Sequence, residues 1–185
     1  MRRMLAVVLV VGPMTVACGP QYQYVRVVPA TTFARPGCRV LLEPVHSEAL
    51  IVGAVPEGQY VADKGGDSAD SYAKDKVESV ALFNEKISEE HPALFAPGGP
   101  PDNTFILRPI WMHWEPGFYA YVANRPGVAS FKVDVLTSAG QPLDEIAING
   151  AAMDFSSGGR MRGALKRTAV ILNSYINDKW ACAKP

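Results

Sequence analysis

The strongest constraint on the fold is an apolar stripe along a predicted helix at residues 160–180. The stripe repeats at helical spacing for five turns and comprises Met161, Ala164, Leu165, Thr168, Ala169, Leu172, Tyr175, Ile176 and Trp180. A helix with one apolar face must bury that face against another element of structure. The chain therefore needs a sheet or a helix layer on which this helix packs.

A predicted strand with strictly alternating apolar and polar residues can form part of the layer on which this helix packs. Within Val128–Thr137, the apolar side is formed by Ala129, Phe131, Val133 and Val135, and the polar side by Ser130, Lys132 and Asp134. Such alternation is typical of an antiparallel strand with one face on the core and one in water. The sequence therefore predicts a sheet whose apolar face is covered by helices.

The other elements complete an α+β pattern. Strands are predicted at 40–45, 104–114 and 143–149, and a helix at 71–90 with Val77, Val80, Ala81, Asn84 and Ile87 on one stripe. Residues 46–70 are rich in turn signals and are predicted as loop. The order β–α–β–β–β–α predicts a two-layer sandwich, with a mostly antiparallel sheet of about four strands and both helices on one face.

Charge favours adjacent packing of the two predicted helices. Residues 57–90 contain nine acidic and four basic groups, whereas residues 160–184 contain six basic and one acidic group. Over the whole chain the 18 basic and 18 acidic groups balance, which gives no electrostatic reason to expect nucleic acid as a partner.

The N-terminus has the pattern of an export signal. Arg2 and Arg3 precede the apolar run 5–11, which is too short to span a bilayer. Small residues then lead to Cys18, an arrangement that resembles the bacterial lipoprotein cleavage box. Residues 1–17 are thus predicted as a lipoprotein signal peptide and Cys18 as the lipidated residue. The alternative is an ordinary signal peptide that leaves Cys18 as a free thiol.

Residues 18–37 are predicted as a lipidated cysteine and tether, followed by a single α+β domain at 38–185. Gly19 follows the cysteine, and no Asp that would retain the protein at the inner membrane is present. By resemblance to Gram-negative lipoproteins, the expected location is the outer membrane with the domain facing the periplasm. Fully extended, the tether would reach ~60 Å, although the alternation in 21–27 also suits a strand at a sheet edge.

The remaining cysteines, Cys38 and Cys182, are expected to form a disulfide in the oxidising periplasm. Two free thiols, or a bond to another chain, are the alternatives. No second Cys or His lies at ligand spacing near either residue, so no metal site is predicted.

The stretch from Phe105 to Ile176 resembles a family of small Gram-negative outer-membrane lipoproteins of unknown function. The resemblance rests on turn motifs, namely Trp114-Glu115-Pro116-Gly117, Arg125-Pro126-Gly127, Gly140-Gln141-Pro142-Leu143, Asn149-Gly150 and Gly158-Gly159. The element order is also similar to that of the lipoprotein that plugs the lipopolysaccharide translocon, and to the N-terminal domain of the periplasmic Tol translocation protein. The resemblance implies an envelope-anchored module with no catalytic residues.

Motifs of catalysis are missing from the sequence. It contains no HExxH, Gly-x-Ser-x-Gly, Cys-x-x-Cys or P-loop pattern, so we predict no enzyme activity, no catalytic residue and no cofactor. His113 and Glu115 at a strand end are the residues on which an enzymatic site would converge. The alternative is that His113 is simply hydrogen-bonded there.

The segment 115–127 is the predicted surface for a partner. Phe118, Tyr119, Tyr121 and Arg125 lie close together in a segment with turn residues at both ends, and interfaces favour such aromatic and arginine side chains. Alternatively, these aromatics fold back on the sheet or extend a hairpin. The predicted function is that of a lipid-anchored accessory protein that docks on an envelope partner, by this segment or by an open sheet edge. The alternative function is binding of a lipid or glycan between the sheet and the helices.

Overall fold

The computed structural model describes residues 22–27, 38–95, 103–120 and 123–180. In chain order, the elements within these ranges are β1 (Tyr22–Val27), β2 (Arg39–Leu42), β3 (Ile51–Val52), β4 (Val55–Pro56), α1 (Glu57–Lys64), α2 (Gly66–Glu90), α3 (Pro92–Phe95), β5 (Thr104–Glu115), β6 (Phe118–Ala120), β7 (Ala123–Arg125), β8 (Gly127–Thr137), β9 (Pro142–Ala152) and α4 (Ser157–Lys179).

Seven of the described strands form one mixed sheet. Its order is β1-β9-β8-β5-β3-β4, and β2 also pairs with β5. The neighbours among β1, β9, β8 and β5 are antiparallel, whereas β2 and β3 run parallel to β5. A two-stranded sheet, β6–β7, continues the β5–β8 hairpin beyond the end of the main sheet.

The predicted four-strand, two-helix sandwich is therefore wrong, and the protein has a larger α+β fold. Strands β3 and β4 were not predicted because each has only two residues, too few to show a period. Helix α1 was predicted as loop because turn signals stand at both of its ends, Pro56-Glu57-Gly58 and Gly65-Gly66.

Helices α2 and α4 pack against the sheet. Every residue of the α4 stripe is buried. Phe83 of α2 stacks on Phe131 of β8 with ring centroids 5.1 Å apart, and Phe131 in turn stacks on Trp111 of β5 at 5.6 Å. These stacked rings fill the centre of the core between helices and sheet.

The predicted stripe of α2 is correct only in part. Ile87 is buried and Val80 packs on the core, whereas Val77 is 70% exposed and the buried positions also include Tyr72, Ser79 and Phe83. Arg162 of α4 donates to Asp75 at 2.8 Å and to Glu78 at 3.1 Å. Helix α2 turns its acidic side toward α4, which leaves Val77 on the outside.

Strand β1 confirms that the segment 21–27 adds to a sheet edge. Tyr22 pairs with Ile148, and Val27 with Asp144. Only three residues separate Cys18 from β1, so the expected 60 Å reach of the N-terminal segment is wrong. Cys18 itself lies outside the described residues. None of the described helices has the length and apolar character needed to cross a membrane.

Candidate functional site

The predicted partner segment forms the tip of a hairpin. In β6–β7, Phe118 pairs with Arg125 and Tyr119 with Asn124. Phe118 is 49% and Tyr119 46% exposed, so both aromatics extend the hairpin and neither is buried against the sheet. Tyr121 lies outside the described residues. The structure thus brings Phe118, Tyr119 and Arg125 together at one end of the molecule.

Two further apolar side chains, which the sequence analysis missed, lie at the same end. Met153 and Phe155 belong to the connection between β9 and α4 and are 50% and 78% exposed. The rings of Tyr119 and Phe155 are 4.5 Å apart. We call Phe118, Tyr119, Met153 and Phe155 the aromatic end. A possible signal was the sequence Met153-Asp154-Phe155, in which large apolar residues stand in a polar connection.

Arg160 joins the two segments that carry the aromatic end. Its side chain donates to the Pro116 carbonyl at 2.7 Å, and to the carbonyls of Asp154 and Phe155 at 2.7 and 3.2 Å. The residue is buried in the first turn of α4. A buried guanidinium bound to three carbonyls fixes the base of the hairpin relative to the β9–α4 connection.

A local turn holds Phe155 outward. One carboxylate oxygen of Asp154 accepts from the backbone N–H of Ser156 at 2.9 Å and from its hydroxyl at 3.0 Å. These hydrogen bonds hold the pKa of Asp154 below its ordinary value. Ser156 also caps α4 by accepting from the N–H of Gly159 at 2.9 Å. Phe155 therefore lies exposed in a turn that is ordered by these hydrogen bonds.

The base of the hairpin is too tight for side chains. Gly117 has φ +61°, and a Cβ there would lie 2.3 Å from the Arg125 carbonyl oxygen. At Gly127 a Cβ would lie 2.5 Å from the indole of Trp114. Both glycines belong to the turn motifs quoted above, so those motifs encode close approach of the hairpin to the sheet.

The residues of the enzymatic alternative have structural partners. His113 Nε2 lies 2.9 Å from the Gly53 carbonyl oxygen, which fits the hydrogen-bonded interpretation of this histidine. Glu115 lies 4.0 Å from the guanidinium of Arg125. Among the described residues, no group of three or more His, Cys, Asp or Glu side chains is arranged to hold a metal ion.

A second surface feature is an apolar groove between α1 and α2, which we call the helix groove. It has a volume of about 440 Å³ and is lined by Glu57, Val61, Tyr72, Ala73, Lys76, Val77 and Val80. At its rim Glu57 accepts from the Tyr72 hydroxyl at 2.8 Å and from Lys76 at 2.7 Å. Burial, together with the hydrogen bond to Glu57, raises the pKa of Tyr72. The rim is thus ordered and polar, and the floor is apolar.

These features define an α+β domain with an ordered, exposed aromatic end and an apolar groove beside its helix layer. No family model and no curated protein matches the chain. Among solved structures, the chain is similar to two structures of the PelC dodecamer from Paraburkholderia phytofirmans. One, of a single-residue variant, has a TM-score of 0.41 and 11% identity, and the match covers 82% of this chain and 95% of that chain. The other has a TM-score of 0.42 and 9% identity, with 82% and 96% covered. Likeness at this level supports no conclusion about function.

Proposed function

We propose that the protein is a non-catalytic accessory protein of the cell envelope, lipid-anchored through Cys18 in the outer membrane and facing the periplasm. It acts by docking on an envelope protein partner. The observation that carries the docking proposal is the helix groove, where Val77 is 70% exposed although it stands in the middle of a long packed helix.

The helix groove has the composition of a protein interface. Interfaces combine an apolar centre with a polar rim, and here Val61, Val77 and Val80 lie beside the Glu57–Lys76 ion pair of 2.7 Å. Part of this surface also packs on the core, since Tyr72 is buried and Val61 and Val80 contact the core, but Val77 is 70% exposed. A groove with this composition fits an apolar side chain or short helix of a partner.

Lipid anchoring makes a weak interface sufficient, because confinement to the same membrane raises the effective concentration of the partner. We therefore expect Cys18→Ser to leave the domain folded while abolishing membrane attachment and strongly reducing partner association. Fractionation of cells and co-purification with a tagged chain measure both effects. Partner association that is unchanged in Cys18→Ser would contradict the tethering argument.

In-cell photocrosslinking tests the docking surface. A photoreactive amino acid is placed at Val77 in the helix groove, at Tyr119 in the predicted hairpin surface, or at Val25 on β1, the edge strand available for strand addition. All three side chains are at least 46% exposed in the native domain, so the positions are matched for access. We expect one stoichiometric protein adduct at Val77. Only scattered adducts at all three positions would reject the docking proposal.

A second candidate function is binding of a small lipid or glycan, which the size of the helix groove favours. The predicted place for such a ligand, between sheet and helices, is filled by Trp111, Phe131 and Phe83. A groove of about 440 Å³ is instead large enough for part of an acyl chain or sugar. Native mass spectrometry of the purified chain distinguishes ligand binding from docking on a protein. A retained small molecule that is lost in Val77→Glu supports ligand binding.

A further inference from the structure

We infer that the aromatic end docks on the lipid surface next to the anchor, so that the domain has a fixed orientation on the membrane. This inference rests on the proposed lipidation of Cys18. It assigns a membrane leaflet, rather than a protein, as the partner of Phe118, Tyr119, Met153 and Phe155.

The position and direction of β1 bring the anchor to this end. Tyr22 pairs with Ile148 in the antiparallel β1–β9 ladder. The chain preceding Tyr22 therefore leaves the ladder toward Ala152, the last residue of β9, which Met153 and Phe155 follow. Four residues of β9 rise about 14 Å, and the four steps from Tyr22 back to Cys18 span at most about 14 Å. An acylated Cys18 lies within about 14 Å of Tyr22 and can thus reach the end of β9, where the aromatic end begins.

The short connection between Cys18 and β1 limits the distance between the domain and the bilayer. The acyl chains begin in the hydrocarbon core, and the headgroup layer of each leaflet is about 5–8 Å deep. With at most about 14 Å between the anchor and β1, the start of β1 lies in the headgroup layer or within about 10 Å outside it. Beyond the end of β9 that the connection can reach, the exposed apolar side chains of the described residues include those of the aromatic end, whereas Val25, which is 60% exposed, lies on β1 itself.

The chemistry of the aromatic end suits that layer. Phenylalanine and tyrosine are favoured in the interfacial region of a bilayer, where an apolar ring is buried while polar groups stay hydrated. Phe155 is 78% exposed in water, an arrangement that leaves its ring without cover in a free domain. Arg160 and the Asp154–Ser156 turn hold it outward, so insertion requires no rearrangement of the domain.

Charge near the aromatic end does not select anionic lipids. Arg125 on the hairpin is beside Glu115 at 4.0 Å, and the first turn of α4 has Asp154 and Asp75 beside Arg160 and Arg162. Burial of apolar rings therefore drives the contact, and it should persist in neutral lipid and in high salt.

Quenching by brominated lipid tests the inference on the mature, lipidated full chain in vesicles of phosphatidylcholine with brominated acyl chains. Tryptophan is introduced as Phe155→Trp or Tyr119→Trp, with Leu41→Trp as the exposed control. Leu41 is 54% exposed and is in register with Ile106, near the end of β5 opposite to the hairpin. The native residues Trp111, Trp114 and Trp180 are at most 1% exposed and provide a constant background. We expect the added emission of Phe155→Trp and Tyr119→Trp to be largely lost in brominated vesicles, at low and high salt alike, and that of Leu41→Trp to be retained.

The outcomes separate this inference from the proposed function. The mass of the purified chain reports acylation, and a chain without acyl groups on Cys18 overturns both. An acylated, vesicle-bound chain with no quenching at Phe155 overturns only the orientation, as does equal quenching at Leu41. A stoichiometric protein adduct from the photoreactive amino acid at Tyr119 also overturns it, and assigns the aromatic end to a protein partner instead.

Discussion

Replacement of Cys182 by Ser is expected to lower the free energy of unfolding by about 4 kcal/mol, because a disulfide to Cys38 would close a loop of nearly the whole domain. The described residues that neighbour the two cysteines in the sequence lie close together. Trp180 packs on Phe105 with ring centroids 5.5 Å apart, and Phe105 is in register with Val40 of β2. Cys38 lies two residues before Val40 and is buried, and Cys182 lies two residues after Trp180 but outside the described residues.

Denaturant unfolding with and without a reducing agent measures this effect. The wild-type chain should lose stability on reduction, Cys182→Ser should be insensitive to the reductant, and Cys18→Ser should behave like wild type. Alkylation under non-reducing conditions should modify neither Cys38 nor Cys182 in the wild-type chain. Identical midpoints with and without reductant, or two alkylated thiols, would contradict the predicted bond and favour the free-thiol alternative.

Replacement of Arg160 by Met is expected to cost about 3 kcal/mol of folding free energy, because three part-buried hydrogen bonds from a charged donor are lost. The acceptors concerned are the carbonyls of Pro116, Asp154 and Phe155. Since these belong to the hairpin base and to the β9–α4 connection, the aromatic end should also lose its order. Urea unfolding gives the stability, and hydrogen exchange of segments 116–120 and 153–156 gives the local effect.

Arg162→Met is the matched control for this variant. Arg162 is two residues further along α4 and is 37% exposed at its side chain, where it pairs with Asp75 and Glu78. An ion pair with that exposure contributes under about 1 kcal/mol, so the loss should be much smaller and the aromatic end should keep its protection from exchange. Equal losses in the two variants would show that Arg160 has no special part in ordering this end.

Membrane orientation would give the other surfaces distinct roles. If the aromatic end lies on the leaflet, the opposite end of the sheet points into the periplasm. That opposite end carries the β8–β9 turn around Gly140, as well as Trp180 at the end of α4. The helix groove lies between α1 and α2, and Asp75 on the same part of α2 accepts from Arg162 near the start of α4, so a partner attached to the same membrane can reach it. Lipid anchoring, orientation and partner docking are then three separable properties with separate variants.

Much of the core could be predicted from the sequence because it follows from local periodicity. All nine stripe residues of α4 are buried, and the apolar side of β8 faces the core as the alternation predicts. The alternation of residues 21–27 also indicated strand β1, which lies outside the four predicted strands. A period of 3.6 or 2 is a property of one element and needs no knowledge of its neighbours.

Several features of the site could not be predicted, because they depend on contacts between distant parts of the chain. Arg160 reads in the sequence as a solvated cation near a helix start, yet it is buried against the carbonyl of Pro116, 44 residues away. Phe155 was not predicted as a surface residue, yet it is among the most exposed apolar side chains of the described chain. The burial of Arg160 has no signal within a window of neighbouring residues.

By itself, the sequence determined which faces of α4 and β8 are apolar, where the turns lie, and the opposite charges of the two long helices. These properties follow from the local order of side chains. Only the tertiary structure decided the parallel pairing of β2 and β3 with β5, the orientation of α2 that exposes Val77, and the meeting of the hairpin with Phe155. The physical reason is that pairing, orientation and exposure depend on the free energy of contacts between separate segments, which local periodicity does not contain.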